Sequence, residues 1–134
     1  MSEAKIKTYQ GFLRLDSFEE DDEILHLSGL DEPLAEALST EIKGKFVTAR
    51  YWITNKECSK EEAVESFIRE LYGKTYCKVG ACYSEYTGYL WTDEECEIGG
   101  HDIIQEFHSF VGKYLILEVE IHDSPKNLLK EQPI

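Results

Sequence analysis

Four residues able to bind a soft metal ion fall in one stretch of the chain: Cys77, Cys82, Cys96 and His101, spaced C-x4-C-x13-C-x4-H. Three thiolates and an imidazole are a donor set that closes a tetrahedral zinc site. The spacing is unlike that of such sites, and residues five apart on one strand point to opposite faces. Cys96 also occupies an inward, apolar position, where a small core thiol packs well. The set therefore reads as core cysteines, with no metal and no cofactor.

A second constellation follows. His101 stands at a helix start with Glu106 nearby and His108 two turns further along, and a histidine beside a carboxylate can exchange protons with a substrate. Asp102 with Gln105 fits a capping box, which makes Asp102 a helix cap and His101 a loop residue beside it. No serine or cysteine nearby stands in a nucleophile motif. Cys58 directly precedes Ser59, the start of a helical pattern, where a helix dipole would favour a thiolate. Without a resolving partner in its motif, it reads as an incidental surface thiol.

Binding residues are sought among the acids and aromatics. Asp21 and Asp22 in DSFEEDDE (16–23) and Asp93 and Glu94 in TDEE (92–95) sit at two hairpin turns. Neither run has the D-x-D-x-D-G pattern of a calcium loop, so both read as solvated tips able to meet a basic surface. Tyr89 and Trp91 fall on the outward face of one strand and Trp52 on that of another; outward aromatics are common interface anchors, and the alternative is that the 59–72 segment covers them. Tyr86, Trp91, His101 and Glu106 would line a pocket if the two halves described below enclose one.

The balance of 14 basic against 27 acidic residues gives a net charge of −13 over 134 residues. Such a surface repels phosphate backbones, so direct nucleic-acid binding is not expected. No apolar run approaches the ~20 residues of a membrane span. The first ten residues lack an apolar signal core, and four cysteines are too few for a disulfide scaffold; both favour a reducing, cytoplasmic setting.

The elements that position these residues come in two copies. YQGFLRLD (9–16) matches YTGYLWTD (86–93), LHLSGLD (25–31) matches CEIGGHD (96–102), and GKFVTARYWI (44–53) matches GKYLILEVEI (112–121). Each unit reads strand, strand, helix, strand. Leu34, Ala35, Leu38 and Ile42 map at one offset onto Ile103, Ile104, Phe107 and Val111, an apolar helical stripe in both. Arg50 corresponds to Glu118, so a twofold axis pairing the last strands would bring the two charges together.

Between the units, Ser59 and Glu62 form another capping box, and Ala63, Val64, Phe67, Ile68 and Leu71 recur at helical spacing up to Gly73. The expected organisation is one α+β domain over 1–134. Repeat 1 covers about 5–54, an inserted helix 59–72, repeat 2 about 74–122 and a polar tail 123–134. Two ββαβ repeats predict a six-stranded barrel-like or strongly curved sheet with three helices, and a ferredoxin-like split βαβ sheet is the alternative. The order of elements is similar to that of the cradle-loop barrels, which are also built from two such halves; no functional residue follows from that likeness. The expected function is a non-enzymatic protein-binding or regulatory module that contacts a basic, nucleic-acid-binding surface of a partner. The alternatives are a small-molecule binder or enzyme with a pocket between the repeats, and a subunit of a larger assembly.

Overall fold

The computed structural model describes residues 5–17, 23–83, 85–88 and 90–122. The acidic run 18–22 and the tail 123–134 lie outside them. The elements are β1 (Lys5–Ser17), β2 (Glu23–Leu27), α1 (Leu34–Ile42), β3 (Phe46–Thr54), β4 (Phe67–Tyr83), β5 (Leu90–Ile98), β6 (His101–Asp102), α2 (Ile103–His108) and β7 (Tyr114–His122). The strands make one antiparallel sheet in the order β2-β1-β7-β3-β4-β5-β6, curled into a half-barrel around the two helices. The fold is α+β, and its order is not that of a ferredoxin-like split sheet.

Strict alternation in the sequence decides the inner face. β3 buries Val47, Ala49 and Tyr51, and β7 buries Leu115, Leu117, Val119 and Ile121. The helices press Leu34, Ala35, Leu38, Ile42, Ile103, Ile104 and Phe107 onto the same core. Full burial of a leucine, isoleucine, valine or phenylalanine among them stabilises by about 1.5–3 kcal/mol before entropy is counted. A smaller cluster of Trp52, Ala63, Tyr114 and Ile116 lies on the opposite face of the sheet, with Phe12 and Cys58 packed against it.

The two units interlock. β7 of the second unit pairs with β1 of the first, β3 of the first pairs with β4 of the second, and β3 and β7 pair with each other. Arg50 stands directly opposite Glu118, and Val47↔Ile121 and Ile53↔Leu115 lie symmetrically on either side. A pseudo-twofold axis therefore passes between Arg50 and Glu118. Backbone bonds repeat across it: Gly112 N–H to Leu13 O (2.8 Å) answers Gly44 N–H to Thr75 O (3.2 Å), and Ser28 N–H to Phe12 O (3.0 Å) answers Gly99 N–H to Lys74 O (3.3 Å).

These correspondences correct the sequence alignment of the first strand. Leu13 answers Thr75 and Gly11 answers Gly73, so the counterpart of β1 is β4, not YTGYLWTD. The latter forms the turn after β4 and the start of β5. The reason is what each glycine does. A Cβ on Gly11 would come within 2.6 Å of Ser28 O, and one on Gly73 within 2.5 Å of Gly99 Cα. Gly88 has open space there, and its φ of 70° marks it as a turn residue.

The third helix is also corrected. The Ser59–Glu62 capping box forms, with Ser59 N–H to Glu62 Oε1 at 3.0 Å and Glu62 N–H to Ser59 Oγ at 3.2 Å. A single 3-10 turn, Val64–Ser66, follows it, and the chain then enters β4 at Phe67. A helix to residue 72 would leave β3 without its partner from Phe46 to Trp52, so ladder pairing overrides the local helical spacing. The strand count rises to seven among the described residues because His101–Asp102 adds a short edge to β5. At the end of α2, Lys113 N–H bonds Phe110 O as Lys45 N–H bonds Ile42 O. Phe110 thus takes the place of Ile42, and Val111 is exposed.

Candidate functional site

The sheet and α2 bring four polar side chains together, Arg69, His101 and Glu106 of the second unit and Tyr51 of β3 in the first. Tyr51 is fully buried on β3, with its ring edge-on to Phe107 at 5.0 Å. A buried phenol needs a partner, and its hydroxyl donates to Glu106 Oε1 at 2.5 Å. His101 Nε2 meets the same oxygen at 2.6 Å, and Arg69 Nη2 lies 3.1 Å from Oε2. Asp102 caps α2 through Oδ1, accepting from Ile104 N–H and Gln105 N–H, and also takes Cys96 N–H at 3.1 Å. That bond ties the helix start to β5, and with it the position of His101.

The electrostatics define what the cluster can do. Burial pushes the Glu106 carboxyl up, but the Tyr51 hydroxyl, His101 and Arg69 together hold it below the usual range. Burial and the bond to Glu106 push the Tyr51 phenol well above its ordinary value. Glu106 is thus a fixed anion with both oxygens engaged, not a carboxylic acid poised to give up a proton near neutrality.

The equivalent place in the first unit is built differently. Lys7, Leu30, Ala37 and Val119 stand where Arg69, His101, Glu106 and Tyr51 stand. The result is a hollow of about 310 Å³ lined by Lys7, Tyr9, Leu30, Ala37, Thr40 and Glu41 among others. Lys7 Nζ and Glu41 Oε1 face each other at 3.9 Å across it, both well exposed. Burial, with Glu41 adding to it, pushes the Tyr9 phenol up to about 12.

Glu94 was expected on a solvated hairpin tip. Its side chain is 7% exposed instead, and Oε1 accepts from Leu25 N–H of β2 at 3.0 Å and meets His108 Nε2 at 3.2 Å. β2 is one end of the strand order and β5 lies next to the other, so this carboxylate bridges the seam of the curled sheet. Burial is the main reason its pKa is raised. A concave space of about 340 Å³ between Glu94, Glu95, Asp102, Ile104, Gln105 and His108 adjoins it.

The remaining candidates separate. Trp52 is 7% exposed, so it is no open anchor. It is covered by Ala63 and Phe67, with the Lys60 ammonium 5.5 Å from its ring centre. Tyr86 is 100% exposed at the turn between β4 and β5, and so lines no pocket with His101 and Glu106. Tyr89, Asp21 and Asp22 lie outside the described residues, as do the side chains of Trp91 and Asp93.

Cys77 and Cys96 are neighbours, with Sγ atoms 3.2 Å apart. Cys82 pairs with Trp91, five ladder steps further along and so about 16 Å away. His101 is turned to Glu106. The four proposed zinc donors do not converge, and among the described residues no group of three or more His, Cys, Asp or Glu could hold a metal ion. Cys58 packs beside Trp52 and reaches Thr54 Oγ1 at 3.6 Å. The helix meant to activate it is a single turn.

Sequence reasoning placed Tyr51 inward and named Glu106 and His101. It missed Arg69, assigned to a helix, and the reach of Glu94 to Leu25. The available signal was chemical: a tyrosine on a strictly inward strand position needs a polar partner from the packing helix. No family model, no curated protein and no solved structure matches the chain. No helix among the described residues is long and apolar enough to cross a membrane.

Proposed function

We propose that the chain is a non-enzymatic protein-binding module of a reducing, cytoplasmic compartment. In this reading it docks its acidic second hairpin on a basic protein surface of the kind that otherwise holds nucleic acid. The observation that carries the reading is Tyr86, wholly in solvent at the turn of a two-stranded ribbon. β4 pairs with β3 as far as Lys74, and from Thr75 to Tyr83 its strand partner is β5. Residues 75–98 carry five acids (Glu85, Asp93, Glu94, Glu95, Glu97) against one lysine, Lys78. Tyr76 adds a second tyrosine that is more than half exposed. A large exposed aromatic set among like charges is the composition of a steered protein contact.

The test is capture from cell lysate on immobilised wild-type protein and on the Tyr86→Ala variant, followed by affinity measurement on the retained protein. The expected result is a basic partner, released by salt and bound about tenfold or more weakly by the variant. Absence of any partner at low salt, or equal binding by the variant, overturns the reading.

A further inference from the structure

Cys77 and Cys96 are directly paired across β4 and β5, with both side chains buried and Sγ atoms 3.2 Å apart. Cys96 N–H donates to Asp102 Oδ1, on the side away from β4. The N–H and C=O of a strand residue point to the same side, so Cys77 and Cys96 form a non-hydrogen-bonded pair. The Cα atoms of such a pair lie about 4.5 Å apart, inside the window of about 4.4–6.8 Å that a disulfide spans. Closing the gap needs sulfur movement of about 1 Å and no rearrangement of the strands. The first unit shows what packing alone asks of this place, since Leu15 pairs there with Leu25.

We propose that Cys77 and Cys96 are a redox-active dithiol that hydrogen peroxide oxidises to a cross-strand disulfide. The Cys77 thiolate attacks one peroxide oxygen, the O–O bond breaks, and the departing hydroxide takes up the proton Cys77 released, giving water and a sulfenic acid. The Cys96 sulfur then attacks the Cys77 sulfur. The S–O bond breaks, and the leaving hydroxide carries off the Cys96 proton as a second water. Two thiols are oxidised by two electrons in all, and one peroxide is reduced to two waters. The two sulfurs share one hydrogen bond in which either can donate, so the same steps balance with Cys96 attacking first. The hydrogen bond shared with Cys96, with help from Lys43, holds the Cys77 thiol below its ordinary value against burial. The bond to Cys77 and burial push Cys96 up. Entry is through β5, whose far side pairs with β6 at Glu97 and Ile98; local opening of such a margin admits a molecule as small as peroxide.

The experiment uses the full chain carrying C58S and C82S, so that only this pair remains. After native peroxide treatment, denaturation and alkylation, the mass is expected to fall by about 2 Da with neither cysteine alkylated. Dithiothreitol should reverse the change, and Tm should rise by several degrees because the bridge constrains the unfolded chain. In the same background C96A should collect an oxygen adduct of about 16 Da on Cys77. Peptide mapping of oxidised wild-type protein, which needs no variant to fold, should recover the peptides of Cys77 and Cys96 linked together. Two alkylatable thiols after peroxide, or oxygen adducts without the loss of two hydrogens, overturn the proposal. Oxygen adducts on neither Cys77 in C96A nor Cys96 in a matching C77A variant overturn the sulfenic acid step.

Discussion

Arg69, His101 and Glu106 of the second unit, with Tyr51 of β3, stand where Lys7, Leu30 and Ala37 of the first unit stand with Val119 of β7. One unit fills the place between helix and sheet with a charged, hydrogen-bonded cluster. The other leaves a hollow there. A few residues away the contrast reverses, and Leu15–Leu25 answers the thiol pair Cys77–Cys96. What stays constant is backbone: the two glycines in close approach, the loop bonds beside them and the self-paired Arg50–Glu118. The scaffold thus resides in main-chain geometry, and the side chains above it were free to diverge.

The largest expected effect tests that constancy. G11A and G73A each drive a Cβ to within 2.6 Å of backbone that cannot swing aside. Each should destabilise by about 3–5 kcal/mol in urea titration. G88A meets open space, and its cost is the left-handed conformation alone, about 1–2 kcal/mol. If G88A equals G11A and G73A does not, the correspondence of β1 with β4 across the repeat fails.

The cluster comes next. E106A leaves the buried Tyr51 hydroxyl without its acceptor, a loss of about 1–3 kcal/mol. Y51F removes that need, so the double variant Y51F/E106A should lose less than the two singles added together. Because the folded-state pKa of Glu106 is depressed, its contribution is present above the ordinary carboxylate pKa. It is lost as pH falls through the depressed value. E106Q should flatten that acid limb. An unchanged limb would separate Glu106 from the stability of the second unit.

On the axis itself, Arg50 lies 3.3 Å from Glu118, 3.5 Å from Glu120 and 2.6 Å from Glu70. These are partly exposed pairs, and R50A should cost about 1 kcal/mol. R50E, which would set four carboxylates together, should cost more. The swap R50E/E118R should recover little of the loss, although the axis maps one position onto the other. Lys60 lies 2.6 Å from Glu118 and would face the new arginine, while Glu70 and Glu120 would face the new glutamate. Full recovery would show a symmetry in the charges that the structure lacks.

The same contrast explains what could be read from the residues beforehand. Alternation in β3 and β7, the helix stripes up to Phe107 and the Asp102 cap depend on neighbours close in sequence and were legible; the last stripe position, Val111, was not. The pairing of Arg50 with Glu118 was legible too, because the repeat supplied the axis. The stretch 59–72 was not: its capping box is real, but the unpaired edge of β3 claims Phe67 onward, and that edge lies outside any local window. YTGYLWTD misled for a related reason. The letters resemble β1, yet a glycine's reason for being is the chain that passes it, and only the folded structure shows that Gly73 has such a neighbour and Gly88 has none. Trp52 and Glu94 were placed outward by local pattern and then covered by segments distant along the chain.

Glu94 sharpens the comparison by the smallest margin. Leu25 answers Cys96, and the N–H of each strand residue points away from its hairpin partner to a carboxylate. For Cys96 that carboxylate is Asp102 of the same unit; for Leu25 it is Glu94 of the other. The borrowed acceptor is nearly dry, and burial raises its pKa. A raised folded-state pKa means the proton is held more tightly in the native chain. The contribution of Glu94 is therefore fully present below its unfolded pKa and declines as pH rises through the folded one. E94Q keeps an oxygen for Leu25 N–H and removes the buried charge, so stability near pH 7 should stay within about 0.5 kcal/mol of wild type or rise. E94A, lacking any acceptor, should lose about 1–2 kcal/mol at the same pH. If E94Q falls as far as E94A, charge holds the seam between the two units and not the hydrogen bond to Leu25.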